Sequence, residues 1–233
     1  MNSNLSKTTK DYKERIFYNE NLSKYSWFNL GGPAEILFKP DNIDQIKLFI
    51  NAHRDYKINI LGAGSNTLIR DGGIKGVTLK LSSKFSNIDL LSDNRIKVGA
   101  STLDKKLADF ALNNSISGFE FLSCIPGSIG GGIKMNSGCY GEEISKILSS
   151  IEVMDLKGNI KEIKREQINF FYRGCDLSND LLILSANFKG NLANKSDIEK
   201  KQIDFINRKK KSQPSQVKTC GSTFKNLKTK KAW

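Results

Sequence analysis

The sequence predicts a folded protein that mixes helices with strands and divides into more than one lobe. The chain has 233 residues, enough to bury a substantial core without disulfides or metals. Hydrophobic residues make up 38% of it and charged residues 26%, the balance of an ordinary globular protein rather than a disordered or fibrous one. Strand patterns alternate with helix patterns along the chain, which is typical of α/β architecture.

The first lobe is predicted at residues 25–82, after a polar N-terminal arm at 1–24. Its elements are, in order, an extended stretch at 36–39, an amphipathic helix at 43–50 behind the start signal Asp41-Asn42, a strand at 58–61 and a strand at 77–81. A turn of small residues joins the two strands.

The second lobe is predicted at residues 83–192. Its elements are a strand at 95–98, a helix at 103–112, a hairpin of 151–154 with 160–163, and a strand at 181–188. The helix has Ser101 as its predicted N-cap and an apolar face made of Leu103, Leu107, Phe110 and Ala111. A third region, 193–233, begins with a helix that opens on a capping box of Ser196 and Glu199.

Cysteines and hydropathy exclude several classes of protein. The four cysteines (124, 139, 175 and 220) form no CxxC pair and His53 is the only histidine, so we expect no metal site. The first 25 residues are polar throughout, so we expect reduced thiols and a cytoplasmic protein. The longest aliphatic run, 181–184, is far shorter than a membrane span, and we expect no membrane partner.

Positive charge is concentrated near the C-terminus. Between Glu199 and Lys231 there are eleven Lys and Arg residues against two acids, in a chain whose net charge is +13. Such a region can attract nucleic acid or a multiply anionic small ligand, and a solvated lysine surface explains it equally well. Because only Phe205 and Phe224 interleave with these lysines, we do not expect a nucleic-acid partner.

The turn after the strand at 58–61 is the first candidate binding segment. It consists of Gly62, Ala63, Gly64, Ser65, Asn66 and Thr67, whose small size lets backbone N–H groups approach a phosphate. It matches neither the Walker A nor the Rossmann fingerprint, because it lacks the lysine of the first and has Thr67 in place of the third glycine of the second. A tight strand connection is the alternative.

The glycine-rich segment 125–145 is the second candidate. Six of the 19 glycines fall between Gly127 and Gly141. Each glycine costs conformational entropy on folding, so backbone lying against a large flat or phosphorylated ligand explains them better than core packing does. A flexible loop is the alternative. Two such segments more than 60 residues apart indicate one ligand held between two lobes.

Two shorter motifs add polar side chains. Arg173, next to Tyr172, has a planar guanidinium that can hold a carboxylate with two hydrogen bonds, unless it is simply a surface arginine. The small-residue turn at 220–226 would expose the Ser222 hydroxyl. Because His53 falls in the first predicted helix, we expect no nucleophilic triad, and Ser222 stays open as a proton donor or ligand-binding group.

These segments, in this order, resemble the UDP-N-acetylenolpyruvoylglucosamine reductase family of bacterial flavoenzymes. The matching segments span almost the whole chain and are 29–40, 61–81, 118–144, 170–177 and 221–226. The last three are specific to that family. The GAGSN turn at 62–66 is shared with FAD-binding proteins of the p-cresol methylhydroxylase and vanillyl-alcohol oxidase type.

The resemblance implies an α+β fold, in which a two-lobed FAD-binding domain of the p-cresol methylhydroxylase type precedes an α/β substrate-binding domain. It implies FAD as cofactor, with the turn at 62–66 near its pyrophosphate. The cofactor-binding residues that it implies are Gly62, Ala63, Gly64, Ser65, Asn66, Pro126, Gly127, Ser128, Gly130, Gly131, Gly132 and Asn136.

The resemblance also implies a reaction. In this family NADPH, the co-substrate, delivers a hydride to FAD, which passes it to UDP-N-acetylglucosamine enolpyruvate to give UDP-N-acetylmuramate for peptidoglycan. Arg173 would bind the substrate carboxylate and stabilise the enolate, and Ser222 would protonate the adjacent carbon. Tyr172, Lys225 and Asn226 are the implied substrate contacts. Both small molecules are polyanions, so the basic region would speed their arrival.

The sequence departs from the family pattern beyond Ser222. It stops at Trp233, whereas the family continues for several tens of residues and ends with a glutamate that assists Arg173. Leu227 also stands where the family usually has a proline. We therefore expect a truncated substrate-binding domain that is poorly ordered from about Lys195 onward.

The leading prediction is an FAD-dependent NADPH oxidoreductase that acts as a monomer. A catalytically impaired FAD-binding remnant is the first alternative. A flavin oxidase is the second, although such enzymes often tether FAD through His or Cys, for which His53 is badly placed. A nucleic-acid-binding protein is the third.

Overall fold

A four-stranded sheet forms the framework of the first lobe. The computed structural model describes residues 12–213, 225, 226 and 229. The sheet has the order β1-β2-β4-β3, with β1 at Ile16–Asn21, β2 at Pro33–Phe38, β3 at Ile58–Ile60 and β4 at Ile74–Leu79. The pairs β2/β4 and β3/β4 are parallel. Parallel strands need a crossover connection, which helix α1 (Ile43–Ala52) supplies between β2 and β3.

A five-stranded antiparallel sheet forms the framework of the second lobe. The remaining strands are β5 (Ile88–Leu90), β6 (Arg95–Gly99), β7 (Ile116–Ser117), β8 (Gly138–Cys139), β9 (Glu142–Glu143), β10 (Leu148–Met154), β11 (Ile160–Lys164), β12 (Phe170–Phe171), β13 (Gly174–Cys175), β14 (Leu182–Lys189) and β15 (Asn191–Leu192). The sheet has the order β11-β10-β14-β6-β5, and the short strands pair as β12/β13, β15/β7 and β8/β9. The predicted hairpin of 151–154 with 160–163 is confirmed as β10/β11.

Three more helices flank this sheet: α2 (Asp104–Asn113), α3 (Ile129–Lys134) and α4 (Lys195–Ser212). The mixture of sheets and helices confirms the predicted α+β class. Among the residues described, no helix is both long and apolar enough to cross a membrane.

The two lobes share part of one core. Phe38 of β2 and Phe49 of α1 stack with their ring centroids 3.9 Å apart. Met154, Leu182 and Leu184, which belong to the second sheet, are buried in the same cluster. Because these side chains cross from one sheet to the other, the relative position of the two lobes is fixed by apolar packing.

The N-terminal stretch contributes to the first lobe. We expected residues 1–24 to be an arm outside it, whereas β1, within that stretch, pairs antiparallel with β2 over Ile16–Asn21. Ile16 and Glu20 are partly buried and the rest of the strand, with Phe17 and Tyr18, is exposed, so the strand covers an edge of the sheet without the alternating pattern that sequence reasoning relies on.

Helix α4 corrects the expectation of poor order from about Lys195 onward. The structure has eighteen helical residues there, and Ile198, Gln202 and Phe205 are buried. The Gln202 side-chain amide donates to the carbonyl of Ala108 at 3.0 Å. The expectation was wrong for 195–212 because the apolar face of this helix is covered by the second lobe.

Both predicted helix caps were also wrong. Helix α2 has Leu103 as its N-cap, because the Asp104 N–H donates to the carbonyl of Gly127 and fixes the start of the helix. Leu103 is 47% exposed, and the Ser101 hydroxyl donates to the carbonyl of Ser82 instead. The other helix, α4, has Asn194 as its N-cap with no side-chain cap, so the predicted capping box of Ser196 and Glu199 does not form.

Candidate functional site

A cleft of about 450 Å³ opens between the two sheets. Its walls come from the ends of β3, β4 and β6, from β14 and from α3. The polar residues in its lining are Thr67, Lys80, Ser83, Ser86, Ser101, Lys106, Ser128 and Lys134. The charged members are all lysines, so the cleft is suited to a ligand that carries negative charge.

A second cleft of about 470 Å³ adjoins the first. It is lined by the segment that includes Tyr25, Trp27 and Asn29, and it shares Ala63 and Lys80 with the first cleft. The two together could hold an elongated ligand that passes these shared residues.

The first glycine turn lies at the junction of the two clefts. Gly62 and Ala63 line the first cleft, whereas Gly64 is buried with a left-handed backbone, φ +71°. The Ser65 hydroxyl donates to the carbonyl of Pro126 at 2.6 Å and so joins the two glycine segments. Asn66 is exposed.

The second glycine segment forms the opposite wall. Ser128, Gly130 and Gly131 line the cleft. Gly127 and Gly132 lie behind them, and a Cβ at these positions would meet Asp104 Oδ2 at 2.5 Å and Ile144 Cδ1 at 2.7 Å, respectively. Predicted cofactor contacts are therefore divided between residues that face the cleft and residues that shape its wall.

Asp104 is a buried carboxylate beneath this wall. It is fully buried at the start of α2, and neither side-chain oxygen has a hydrogen-bond partner. Burial raises the pKa of Asp104 to about 7, because the charged form loses its hydration there.

Lys80 is the cation at the junction of the two clefts. Its ammonium donates to the carbonyl of Gly62. Burial first, and then the charge of Lys39, lower the pKa of Lys80. In the described part of the chain this lysine forms no ion pair, so an anionic ligand would supply the charge that it lacks.

Arg173 is held next to the glycine-rich wall. It occupies the tight turn between β12 and β13 with a left-handed backbone, φ +60°, a conformation that costs a non-glycine residue about 1 kcal/mol or more. Its Nη2 donates to the carbonyl of Gly138 at 2.7 Å and its Nη1 to that of Asn136 at 3.5 Å. The guanidinium carbon lies 5.0 Å from the centre of the Tyr172 ring.

Asn136 positions this arginine rather than facing the cleft. It is 1% exposed, its side-chain amide donates to the carbonyl of Phe171 at 3.2 Å, and its Oδ1 accepts from the N–H of Ser145 at 3.2 Å. The residue therefore ties the Arg173 turn to the end of α3.

The other predicted site residues lie elsewhere. Ser222 is outside the described residues, and Lys225 and Asn226 are exposed. His53 ends α1, stacked on Phe49 at 4.1 Å, and is absent from the lining of either cleft. Among the described residues, no group of three His, Cys, Asp or Glu side chains could hold a metal.

Sequence reasoning missed Lys80, Lys134 and Asp104. Lys80 directly follows the buried β4, and a lysine at the end of a buried strand was a usable signal. Lys134 lies inside the glycine-rich segment, and a positive charge among these glycines was a second signal for a phosphorylated ligand. An acid in the first turn of a helix is common for electrostatic reasons, so the burial of Asp104 carries no signal in the sequence.

Comparison with known proteins gives the family. A family described as an FAD binding domain matches residues 34–164. The UDP-N-acetylenolpyruvoylglucosamine reductase of Pelagibacter ubique is 48% identical over 221 residues, which are 94% of this chain and 73% of that protein.

Solved structures agree. The UDP-N-acetylenolpyruvylglucosamine reductase from Thermus caldophilus matches with a TM-score of 0.81 at 28% identity, over 93% of this chain and 76% of that one. The glucose dehydrogenase Phl p 4.0202 matches with a TM-score of 0.61 at 10% identity, over 82% of this chain and 44% of that one, a likeness of fold alone. The two-lobed fold predicted from the motifs is confirmed. This chain belongs to the UDP-N-acetylenolpyruvoylglucosamine reductase family and carries its FAD-binding domain.

Proposed function

We propose that this chain reduces UDP-N-acetylglucosamine enolpyruvate to UDP-N-acetylmuramate, with FAD as cofactor and NADPH as co-substrate, in the cytoplasm and as a monomer. The cleft between the two sheets is the observation that carries the proposal, since its glycine walls and lysine charges suit a flat, phosphorylated cofactor. The family membership supports the choice of substrate.

The residues of the cleft fit FAD. A volume of about 450 Å³, continuous with a second cleft of about 470 Å³, falls within the range of cofactor sites. Gly131 has open space at its Cα, because an added Cβ would meet nothing nearer than Ser128 Oγ at 3.6 Å. Lys80, Lys106 and Lys134 bring positive charge without an acidic lining residue to cancel it.

Bound FAD supplies hydride acceptance and donation, a chemistry that no side chain of this protein has. The protein's part is to bind and orient. We assign cofactor contacts to the cleft-facing Gly62, Ala63, Ser128, Gly130 and Gly131. Gly64, Ser65, Asn66, Pro126, Gly127, Gly132 and Asn136 stay predictions as contacts, and the hydrogen bonds and packing above give several of them a shaping role.

Arg173 is proposed to bind the substrate carboxylate and stabilise the negative charge that develops during reduction. A guanidinium has five N–H donors, and two backbone carbonyls of the 136–138 segment occupy part of this set. These carbonyls fix its orientation and leave donors for a carboxylate, the preorganisation that makes such charge stabilisation effective. Ser222 is proposed as the proton donor, and Tyr172, Lys225 and Asn226 as substrate contacts.

An anaerobic spectroscopic experiment tests the function. Purified protein should show flavin absorbance, lose it when NADPH is added, and regain it when UDP-N-acetylglucosamine enolpyruvate follows. Bound flavin without either change would favour the alternative of a catalytically impaired FAD-binding protein. Hydrogen peroxide formed in air without the enolpyruvyl sugar would favour a flavin oxidase.

Arg173→Lys tests the assignment of the arginine. Lysine has three donors on one nitrogen and lacks the planar fork that holds a carboxylate with two hydrogen bonds while both backbone carbonyls are bound, so turnover should fall about 10²–10³-fold while the bleaching by NADPH is unchanged. Arg165→Lys is the matched control, because Arg165 also donates to two backbone carbonyls, those of Ser145 and Ile168, and has no proposed role at the substrate. Equal losses in the two variants would contradict a role for Arg173 at the substrate.

A further inference from the structure

Two cysteine thiols meet next to the Arg173 turn. Cys124 ends the 3₁₀ turn at Glu120–Cys124 and Cys139 lies in β8, and their sulfur atoms are 3.2 Å apart. Both thiols are free and partly buried, and the sulfur atoms of Cys124 and Cys139 lie 3.3 and 3.5 Å from the carbonyl oxygen of Phe121. The two thiols are therefore in contact and partly accessible, and the proposed reaction gives neither of them a role.

The basic end of α4 gives the two thiols different chemistry. Lys209 Nζ donates to the carbonyl of Cys124 at 2.5 Å, and the Arg208 guanidinium lies over the ring of Tyr140 at 4.2 Å. The hydrogen bond from Cys139, together with these two cations, lowers the pKa of Cys124 against the opposing effect of burial. The same hydrogen bond raises the pKa of Cys139. Cys124 is therefore the nucleophile of the pair, and Cys139 retains its proton.

The pair is mechanically connected to Arg173. The residue before Cys139 is Gly138, whose carbonyl accepts the 2.7 Å hydrogen bond from Arg173 Nη2. A disulfide has an S–S length of about 2.05 Å, so closing the bond brings the sulfurs roughly 1 Å nearer to each other. Movement of β8 by part of that distance moves the acceptor that orients the guanidinium.

We propose that Cys124 and Cys139 form a reversible disulfide by exchange with a low-molecular-weight disulfide, and that this bond displaces Arg173 and slows turnover. The proposed disulfide is inferred from the 3.2 Å distance between the two sulfur atoms. Its effect on turnover rests on the proposed function.

The exchange balances in two steps. The Cys124 thiolate attacks the small disulfide, a bond forms between Cys124 and one of its sulfurs, and the other sulfur leaves as a thiolate. The Cys139 thiol then loses its proton and attacks the Cys124 sulfur as a thiolate, which forms the internal disulfide and releases the second small thiolate. The protein is oxidised by two electrons, the small disulfide is reduced to two thiols, and the protons of Cys124 and Cys139 end on them.

The test uses FAD-loaded protein and glutathione disulfide. Intact mass should fall by two hydrogen atoms, and peptide mapping should join Cys124 to Cys139. Turnover of the oxidised protein should be at least about tenfold lower, since small misplacements of a catalytic group have effects of this size, and dithiothreitol should restore it. Cys175→Ser is the matched control, because Cys175 is a third free thiol and should leave both results unchanged.

Single serine variants give the direction of the exchange. Cys139→Ser should retain one glutathione on Cys124, because the second step is blocked, while Cys124→Ser should leave Cys139 reduced. If Cys124→Ser fails to fold, the glutathione adduct of Cys139→Ser and the mass of the oxidised wild-type protein still test the proposal.

Two results would overturn the proposal: free thiols at both positions after oxidation, or glutathione on Cys139 in preference to Cys124. A disulfide with undiminished turnover would remove the coupling to Arg173. Absence of turnover in the reduced protein would overturn the proposed function, and the mass measurement alone would then judge the disulfide.

Discussion

The two glycine segments that face each other across the cleft are built for different reasons. In the first, at 62–66, Gly64 has a left-handed backbone, and a Cβ there would lie 2.0 Å from the carbonyl oxygen of Tyr25. In the second, at 127–132, no glycine has a left-handed backbone, and neighbouring side chains limit the space instead. Backbone conformation thus requires glycine at position 64, whereas close packing requires it at positions 127 and 132.

This difference shows that glycine content alone does not locate a ligand. Gly130 and Gly132 are restricted by Ala100 and Ile144, which belong to the protein itself. Gly131 faces the cleft with room for a side chain. We therefore expect Gly64 to matter to the fold. In the second segment, Gly132 belongs to the wall, whereas Gly131 faces the cleft.

Gly64→Ala should have the largest effect on stability. A left-handed alanine costs about 1–2 kcal/mol, and the clash with the Tyr25 carbonyl adds about 1–3 kcal/mol, so the free energy of unfolding should fall by about 2–5 kcal/mol. Urea denaturation measures the change. Gly72→Ala is the control, since nothing lies within 4 Å of a Cβ at that position. A loss of less than about 1 kcal/mol would contradict the backbone explanation.

The second segment should respond to pH through Asp104. Its pKa is about 7 in the folded protein against a usual 3.8, so the folded state binds the proton more tightly than the unfolded state does. The stabilisation that this group contributes is therefore fully present below about pH 4 and is lost as the pH rises towards 7, at up to about 1.4 kcal/mol per pH unit and about 4 kcal/mol in total.

Asp104→Asn separates this titration from other charges. The amide cannot ionise, so the decline in stability between pH 5 and pH 8 should become shallower in urea titrations than in the wild-type protein. Asp109→Asn is the matched control, because Asp109 lies on the exposed side of the same helix. The same pH slope in both variants would refute the assignment to Asp104.

Local patterns in the sequence predicted much of the fold. The β10/β11 hairpin followed from two apolar runs around a turn, in which Asp155 Oδ1 accepts from the N–H groups of Lys157 and Asn159 at 2.8 and 2.9 Å. Both walls of the cleft followed from their glycines. These features depend on residues close in sequence, which is why reasoning from the sequence reached them.

Features that depend on distant contacts were not predicted. The cap of α2 is determined by the carbonyl of Gly127, and the order of α4 by its contact with Ala108 and the 120–124 turn. The burial of Asp104 beside Gly127 and Gly132, and that of Lys80 beside Gly62, likewise depends on residues distant in the chain. Residue type and spacing carry no trace of these contacts, so the burial that shifts the pKa values of Asp104 and Lys80 could be read only from the folded protein.

Lys80→Met should weaken the binding of FAD about tenfold and leave that of riboflavin unchanged. Lys80 offers its charge at the junction of the two clefts, and riboflavin lacks the phosphates that would use it. Flavin fluorescence titrations of the apoprotein at low and high salt measure both affinities. Lys84→Met is the control, an exposed lysine of the same sign outside either lining. Equal weakening of both ligands would show that Lys80 shapes the cleft rather than binding phosphate.

Gly131→Ala should have the smallest effect on the fold. It tests whether Gly131 faces the cleft while its neighbour Gly132 belongs to the wall. Its Cβ would meet only Ser128 Oγ at 3.6 Å, an ordinary contact, and alanine favours the helix by about 0.5–1 kcal/mol, so the apoprotein should melt no lower than wild type. Its methyl group enters the cleft, so FAD should bind about threefold more weakly, about 0.7 kcal/mol. In Gly132→Ala the added Cβ would lie 2.7 Å from Ile144 Cδ1, so this variant should lose stability more than it loses affinity for FAD. If both variants lost stability alike, the distinction between wall and cleft glycines would fail.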